Sequence, residues 1–429
     1  MGTAAPDARS EVPDVVAPPP HHPRFPLTVG MRGIPAIAII VGHAWFFTGG
    51  FGGFTESLPN RAMVRMDGLV ALFFLLSAFL LYRPMIAHRT GGPAAPRTGD
   101  YARRRFLRLY PAYWVALIGF TLVVGVEGAF THNWWAFYSL TDFLDLRLHD
   151  ACTSHEEFLC GLPQSWTLGV DMTFYVLLPF YAALTGWLAR RLTLRAWIKV
   201  ELLILVALAA GSLLLGGPPV ELRSHEWFRF SALGHFYWFA LGLALALISV
   251  VDWKRELPRA ARIGRGLASR PGLCWAGGLA IYMITVFAFY PAPFIVAPFR
   301  DGLEYTTLNL IQGVGAVLLF IPAAFWNPNR GLPARILGHP VLMWVGLISY
   351  GLLLWNVTIA VLLGYPRADE GYWTVLIVGS LLTLPLATAS YYCVERPLMK
   401  LKYRSLREVL ATRSRRGTPV PSAGSTDER

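Results

Sequence analysis

Long runs of apolar residues without charge recur along the chain, separated by shorter polar segments. A scan for stretches of at least 15 residues that lack Asp, Glu, Lys and Arg finds ten of them. A helix needs roughly 20 apolar residues to cross a bilayer, so each run can span or nearly span a membrane. The runs are 33–55, 68–82, 109–126, 172–189, 202–220, 230–251, 271–299, 305–329, 336–366 and 371–394. They predict an all-α polytopic membrane protein with about ten transmembrane helices.

Composition supports this class. Of the 429 residues, 55% are apolar and 15% are charged, whereas a soluble domain carries about 25% charged residues. Aromatic residues make up 14% of the chain, which is far too many for a disordered protein. A soluble globular protein and a largely disordered one are therefore both excluded.

The distribution of basic residues predicts the orientation of the helices. If residue 1 is cytoplasmic and the spans alternate, the inner segments hold 31 of the 38 basic residues. Cytoplasmic loops are enriched in Lys and Arg, so both termini are expected in the cytoplasm, with the domain in the plasma membrane. The net charge of +12 then reflects topology and contact with anionic lipids, and nucleic acid is not expected as a partner.

The pattern divides the chain into three parts. Residues 1–28 lack the charged-then-apolar order of a cleavable signal peptide and are expected to form a disordered cytoplasmic tail. A membrane domain follows over 29–400, and a basic, mostly disordered cytoplasmic tail over 401–429.

Cysteine and histidine positions offer little chemistry of their own. Cys152 and Cys160 lie in the longest predicted outer loop, where they either form a disulfide or remain two thiols. The His21-His22 pair lacks further ligands at metal spacing, and no metal site is expected.

Two ionisable residues stand out in the first span. Arg32 and His43 are 11 positions apart, which places them on nearly the same helix face and about 16 Å apart along the axis. Ionisable side chains within a membrane usually face a protein interior or a water-filled cavity. Arg32 suits a phosphate or carboxylate at the cytoplasmic mouth, and His43 suits shielded proton transfer. The alternative is a snorkelling anchor and a hydrogen-bonded packing histidine.

Two further sites combine charge with apolar surroundings. Arg105 and Arg108 are neighbours on a helix and can hold a polyanionic group, or they only mark the positive-inside flank. Asp171 opens the fourth span near its helix N-terminus, where it orients a base or binds a hydroxyl, or only caps the helix.

These segments, in this order, resemble the acyltransferase-3 family of integral membrane acyltransferases over roughly residues 29–400. The family's first span carries an arginine and, after ten residues, a histidine, as Arg32 and His43 do here. The segment 72–80, Leu-Phe-Phe-Leu-Leu-Ser-Ala-Phe-Leu, is similar to the family's second-span motif. Its Arg-x-x-Arg is matched by Arg105 and Arg108, and the segments 348–355 and 395–397 look like its closing signatures. One departure is the family's Ser-Val-Glu-Glu-Gln-Phe-Tyr, which becomes Gly-Val-Asp-Met-Thr-Phe-Tyr over 169–175 and keeps one acid.

The resemblance implies an enzyme that transfers an acyl group, often acetyl, from cytoplasmic acyl-coenzyme A to a hydroxyl. The acceptor class is a carbohydrate, a lipid-linked glycan or a macrolide-type molecule, and no attached soluble hydrolase-like domain is expected. Arg32, Arg105 and Arg108 would bind the donor, and His43, with Arg32 and Asp171, would carry catalysis. His43 acts either as a general base or as an acyl carrier. The alternative function is a transporter or flippase that uses the same polar cavity.

Overall fold

In the computed structural model, the described residues are 27–50, 57–125, 130, 134–142, 161–218, 220, 222, 226–251, 266–267, 269–289, 302–325, 331–364 and 371–401. Ten described helices are long and apolar enough to cross a membrane. Each overlaps one predicted span, which confirms the predicted class of fold. The predicted tails and the Cys152–Cys160 pair lie almost wholly outside the described residues.

The ten helices follow one another along the chain. They are α1 (Leu27–Trp45), α2 (Val70–Ile86), α3 (Thr98–Val124), α4 (Ser165–Arg191), α5 (Leu194–Gly216), α6 (Ala232–Val250), α7 (Pro271–Ala288), α8 (Gly302–Phe325), α9 (Pro340–Gly364) and α10 (Tyr372–Ala389).

Several helices continue beyond these bounds in other helical forms. A π-helix over Phe46–Gly50 extends α1, and a second over Ser390–Glu395 joins α10 to a terminal helix at Arg396–Leu401. Wide π turns of this kind occur frequently at functional sites. Helices at Leu58–Val64 and Arg65–Leu69 precede α2, and a turn at Ala87–Thr90 follows it. Shorter helices lie at Trp134–Ser139, Glu226–Arg229 and Gly331–Leu337.

The outer surface of the helices is apolar. Phe180, Leu203 and Leu122 lie on three different spanning helices and are 71%, 68% and 70% exposed. Exposed apolar surface on this scale belongs to proteins that contact lipid or a partner rather than water. The exposed side chains therefore agree with a multi-pass membrane protein.

The interior contains two main apolar clusters. One joins α2 to α4, α5, α6 and α8 around Phe74, Phe79 and Phe239. The other joins α3 to α9 around Tyr113 and Leu354. The space between these clusters contains the candidate site.

Glycines allow the closest helix contacts. A Cβ atom on Gly346 of α9 would lie 1.8 Å from the Val29 carbonyl oxygen of α1, and one on Gly242 of α6 would lie 2.3 Å from the Leu75 carbonyl oxygen of α2. Small residues permit such backbone contact between membrane helices. Because Gly346 fixes the position of α9 against α1, it also sets the relation between the polar residues further along both helices.

We expect Gly346→Ala to destabilise the protein by about 1–3 kcal/mol, because the added methyl group would overpack the α1–α9 contact. Gly211→Ala is the matched control, since a Cβ at Gly211 on α5 meets no atom within 4 Å. Thermal unfolding in detergent compares the two variants with the wild type. Equal transition temperatures for both variants would contradict the close α1–α9 approach.

Candidate functional site

A cavity of about 210 Å³ lies between α1, α2, α3, α4 and α9. Its walls are mostly apolar, with contributions from both apolar clusters. The ionisable and polar side chains that line it include Arg32, Ser77, Arg105, Arg108, Asp171 and Tyr350. Four of the five residues that the sequence singled out therefore meet in one space.

Arg32 lies within α1 and not in the segment before it. It is the sixth residue of the helix and lines the cavity. Its electrostatic neighbours are Arg108, Tyr175, Arg105 and Asp171. Because Arg32 faces these groups, the snorkelling alternative does not describe its position.

Arg105 is held by aromatic faces. Its guanidinium carbon lies 5.9 Å from the ring centroid of Tyr101 and 5.8 Å from that of Tyr175. Such cation–π contacts stabilise a desolvated guanidinium by about 2 kcal/mol. Among the described residues Arg105 forms no ion pair, so its charge is available to an anionic ligand.

Arg108, by contrast, is partly neutralised by a carboxylate. Its Nη1 donates to Glu395 Oε2 at 2.7 Å, and Glu395 is almost completely buried. The guanidinium also lies over the ring of Tyr350, 5.5 Å from its centroid. The π-helix that ends at Glu395 thus joins the last spanning helix to the cavity wall.

Asp171 faces the cavity from the second turn of α4. The helix begins at Ser165 with Gln164 in the capping position, so the alternative that Asp171 only caps the helix is wrong. Asp171 Oδ2 accepts a hydrogen bond of 3.3 Å from the Tyr175 hydroxyl. Oδ1 is buried and has no hydrogen-bond partner among the described residues. The carboxylate can therefore accept a hydrogen bond from a ligand.

His43 is not among the residues that line the cavity. It lies one turn beyond Ile39, which does line it, on the same face of α1. Its Nδ1 lies 2.5 Å from Oδ1 of Asn356, and its ring makes an edge contact with Phe47. Asn356 lies about one turn beyond the lining residue Leu353 on α9. His43 and Asn356 therefore form a polar pair next to the end of the cavity.

The site also contains Asn356, Glu395 and Tyr350, for which the sequence predicts no role of their own. Glu395 and Tyr350 lie within the closing signatures, and a carboxylate at the end of a span is itself a signal of a buried partner. Asn356 lies in the uncharged run 336–366, where no charge distinguishes it from its neighbours. No group of three His, Cys, Asp or Glu side chains that could hold a metal occurs within the described ranges.

A bundle of ten membrane helices around a cavity with three arginines and one aspartate defines an integral membrane protein with a site suited to anionic ligands. The family model described as an acyltransferase domain matches residues 30–392. The chain therefore belongs to the acyltransferase-3 family and is an acyltransferase domain, as the resemblance implied.

Similar proteins carry related names at low identity. OatA of Listeria monocytogenes, a peptidoglycan O-acetyltransferase, is 22% identical over 86% of this chain and 55% of its own length. YrhL of Bacillus subtilis, named provisionally for the same activity, is 24% identical over 90% of this chain and 56% of its own length. Nodulation protein 10 of Rhizobium leguminosarum is 24% identical over 78% of this chain and 82% of its own length.

The chain thus spans about half the length of the two peptidoglycan-named relatives. No solved structure matches the chain significantly.

We expect Arg108→Met to lower stability by about 3 kcal/mol, because it leaves Glu395 buried without its partner. The double variant Arg108→Met/Glu395→Leu should recover most of this loss, since it removes both charges. Arg105→Met is the control, because Arg105 has no ion pair to break within the described chain. Thermal unfolding in detergent measures the stability of all three variants. A double variant that is less stable than Arg108→Met alone would contradict the pairing of Arg108 with Glu395.

Proposed function

We propose that this protein is a membrane O-acyltransferase that moves an acetyl or another short acyl group from cytoplasmic acyl-coenzyme A to a hydroxyl of an acceptor. The observation that carries the proposal is the gathering of Arg32, Arg105, Arg108 and Asp171 around one apolar-walled cavity. Phosphate groups are bound well by arginine side chains. Acyl-coenzyme A offers such phosphates together with the reactive thioester.

The size of the cavity suggests how the donor is divided between cavity and surface. Pockets that enclose a drug-sized ligand usually measure about 300–1,000 Å³, whereas this one measures about 210 Å³. The whole coenzyme therefore does not fit inside. We assign the acyl end and part of the thiol-bearing arm to the cavity, and the phosphates to its mouth at Arg105 and Arg108. The charge-derived topology puts that mouth in the cytoplasm.

Each remaining polar group has a proposed role in the transfer. His43 removes the proton from the acceptor hydroxyl, or first accepts the acyl group itself. Arg32, about 16 Å from His43 along α1, binds the anionic donor together with Arg105 and Arg108. Asp171 accepts a hydrogen bond through Oδ1 from a second hydroxyl of a carbohydrate acceptor. Exclusion of water by the apolar walls would protect the thioester from hydrolysis.

A carbohydrate is the first acceptor class to test. The names of OatA and YrhL support a glycan such as peptidoglycan, and lipid-linked glycans and macrolide-type molecules belong in the same panel. The proposed setting is the plasma membrane, with both termini in the cytoplasm and anionic lipids against the inner basic segments.

We expect His43→Ala to abolish acyl transfer while the protein remains folded, because the loss of a general base typically costs about 10²–10⁴-fold in rate. The assay incubates purified full-length protein in detergent with radiolabelled acetyl-coenzyme A and peptidoglycan fragments, envelope glycolipids or a macrolide. Release of free thiol and mass spectrometry of the acceptor give rate and product.

His88→Ala is the control, because His88 is exposed and outside the cavity. Transfer by His43→Ala at the wild-type rate would rule out the role of His43. An absence of transfer by the wild type across the whole acceptor panel would contradict the proposed reaction.

We expect Arg105→Ala to raise the KM for acetyl-coenzyme A by roughly 10- to 100-fold, because a charge-assisted hydrogen bond contributes about 1.5–3 kcal/mol. Arg108→Ala should act in the same direction. Arg104→Ala is the matched control on the same turn of α3, since Arg104 does not line the cavity. The KM is measured with the thiol-release assay. An unchanged value for Arg105→Ala would mean that Arg105 does not bind the donor and only marks the positive-inside flank of the span.

A further inference from the structure

The contact between His43 and Asn356 joins two helices that are far apart in sequence. His43 Nδ1 and Asn356 Oδ1 are 2.5 Å apart, and 313 positions separate the two residues. Asn356 is 4% exposed, in the middle of α9. A buried amide in such a position requires hydrogen-bond partners, and the identity of those partners fixes which of its atoms faces the histidine.

The orientation of the Asn356 amide follows from its own helix. Its Nδ2 donates to the Leu352 carbonyl oxygen at 2.6 Å and to the Leu353 carbonyl oxygen at 2.9 Å. Carbonyl oxygens only accept hydrogen bonds, so the nitrogen of the amide must face them. Of the two possible orientations of the amide group, only the one with its oxygen toward His43 fits these contacts.

This orientation selects one tautomer of His43. The amide oxygen can only accept, so His43 Nδ1 must carry the hydrogen and donate it. In the neutral imidazole the other nitrogen, Nε2, then has the lone pair. Within the described part of the chain Nε2 has no hydrogen-bond partner.

We propose that Asn356 is a positioning residue that holds His43 as the Nδ1–H tautomer and thereby keeps the Nε2 lone pair available for acyl transfer. This inference deepens the proposed function and rests on His43 as base or acyl carrier. Asn356 acts through His43, and the proposal requires no contact between Asn356 and substrate.

Both proposed routes begin at the same nitrogen. In the direct route Nε2 takes the hydroxyl proton while the hydroxyl oxygen bonds to the thioester carbon. The carbon–sulfur bond then breaks, its electron pair leaves on sulfur, and Nε2 returns the proton to the thiolate.

In the acyl-histidine route Nε2 bonds to the thioester carbon and the coenzyme leaves as a thiolate. The acceptor hydroxyl later displaces Nε2 from the carbonyl carbon, and its proton goes to the thiolate. A hydrogen on Nε2 would prevent the first step of either route, whereas the Nδ1–H···O bond is retained throughout.

Three variants separate positioning from packing. Asn356→Leu keeps the size of the side chain and removes the acceptor. Asn356→Asp keeps an acceptor oxygen toward His43, and its second oxygen can donate to the Leu352 carbonyl when protonated. Asn309→Leu is the matched control, because the Asn309 amide donates to the carbonyl four residues earlier on α8, at 2.9 Å, and Asn309 lies outside the cavity lining.

The kinetic experiment measures kcat and KM for acetyl-coenzyme A with peptidoglycan fragments as acceptor. We expect Asn356→Leu to lower kcat by about 10- to 100-fold, the range found when a metal-bound histidine loses the group that orients it. The KM should change by less than about twofold, because Asn356 affects the step at His43 that follows donor binding. Asn356→Asp should recover most of kcat, and Asn309→Leu should match the wild type.

A spectroscopic experiment tests the tautomer without any need for activity. Protein labelled with ¹⁵N in its histidine rings is reconstituted in liposomes, and solid-state NMR distinguishes nitrogens with and without hydrogen. The spectrum of His43→Gln identifies the His43 signals by their loss. We expect hydrogen on Nδ1 in the wild type and in Asn356→Asp, and a mixture of tautomers in Asn356→Leu.

The two experiments keep the possible failures distinct. Hydrogen on Nε2 of His43 in the wild type, or the same kcat for Asn356→Leu and Asn309→Leu, would overturn the positioning role. Wild-type transfer by His43→Ala would instead overturn the proposed function of His43, while the NMR spectrum would still decide which tautomer Asn356 selects.

Discussion

The cost of placing charge inside a membrane domain determines the arrangement of the site. An arginine at the centre of a spanning helix costs about 2.5–3.5 kcal/mol on insertion scales, and less toward a helix end. Three arginines line one cavity here. The structure offsets this cost by different means for Arg105 and Arg108. Two tyrosine faces hold Arg105, and Glu395 pairs with Arg108. Because these partners come from α3, α4 and the π-helix that follows α10, the need to stabilise the arginines also holds those segments around the cavity.

The end of the site at His43 and Asn356 depends on backbone packing instead. Gly346 lets α9 lie directly against α1 at Val29, and further along the same two helices His43 reaches Asn356. The helices run in the same direction, so their close contact at one end sets the distance at the other. A hydrogen bond weakens steeply when its distance and angle depart from their preferred values, so the His43–Asn356 contact depends on how closely α9 lies against α1. Glycine packing and the His43–Asn356 contact are thus two consequences of one helix contact.

The sequence predicts all ten spans, but it places the first residue of several spans too far along the chain. The charge-free runs start at 33, 109 and 172, whereas the helices start at Leu27, Thr98 and Ser165. The scan stops at a charge because it treats every charge as water-exposed, yet Arg32, Arg105, Arg108 and Asp171 face a cavity within the protein. Those same charges were identifiable as candidates because they interrupt apolar sequence. Their partners were not, since Asn356 carries no charge and the Arg108–Glu395 pair joins residues 287 positions apart.

The separation of charge from His43 along α1 has a physical reason. A general base becomes positively charged when it takes a proton, and neighbouring guanidinium groups would oppose that charge. Arg32 and His43 are about three turns apart on the helix, or about 16 Å, and Ile39 and Leu353 line the wall between them. The partner that does contact His43, Asn356, is neutral and presents an oxygen that accepts the Nδ1 hydrogen. The proposed function uses this separation, because it assigns the anionic donor to the arginines at one end and proton transfer to His43 at the other, beyond their strongest repulsion.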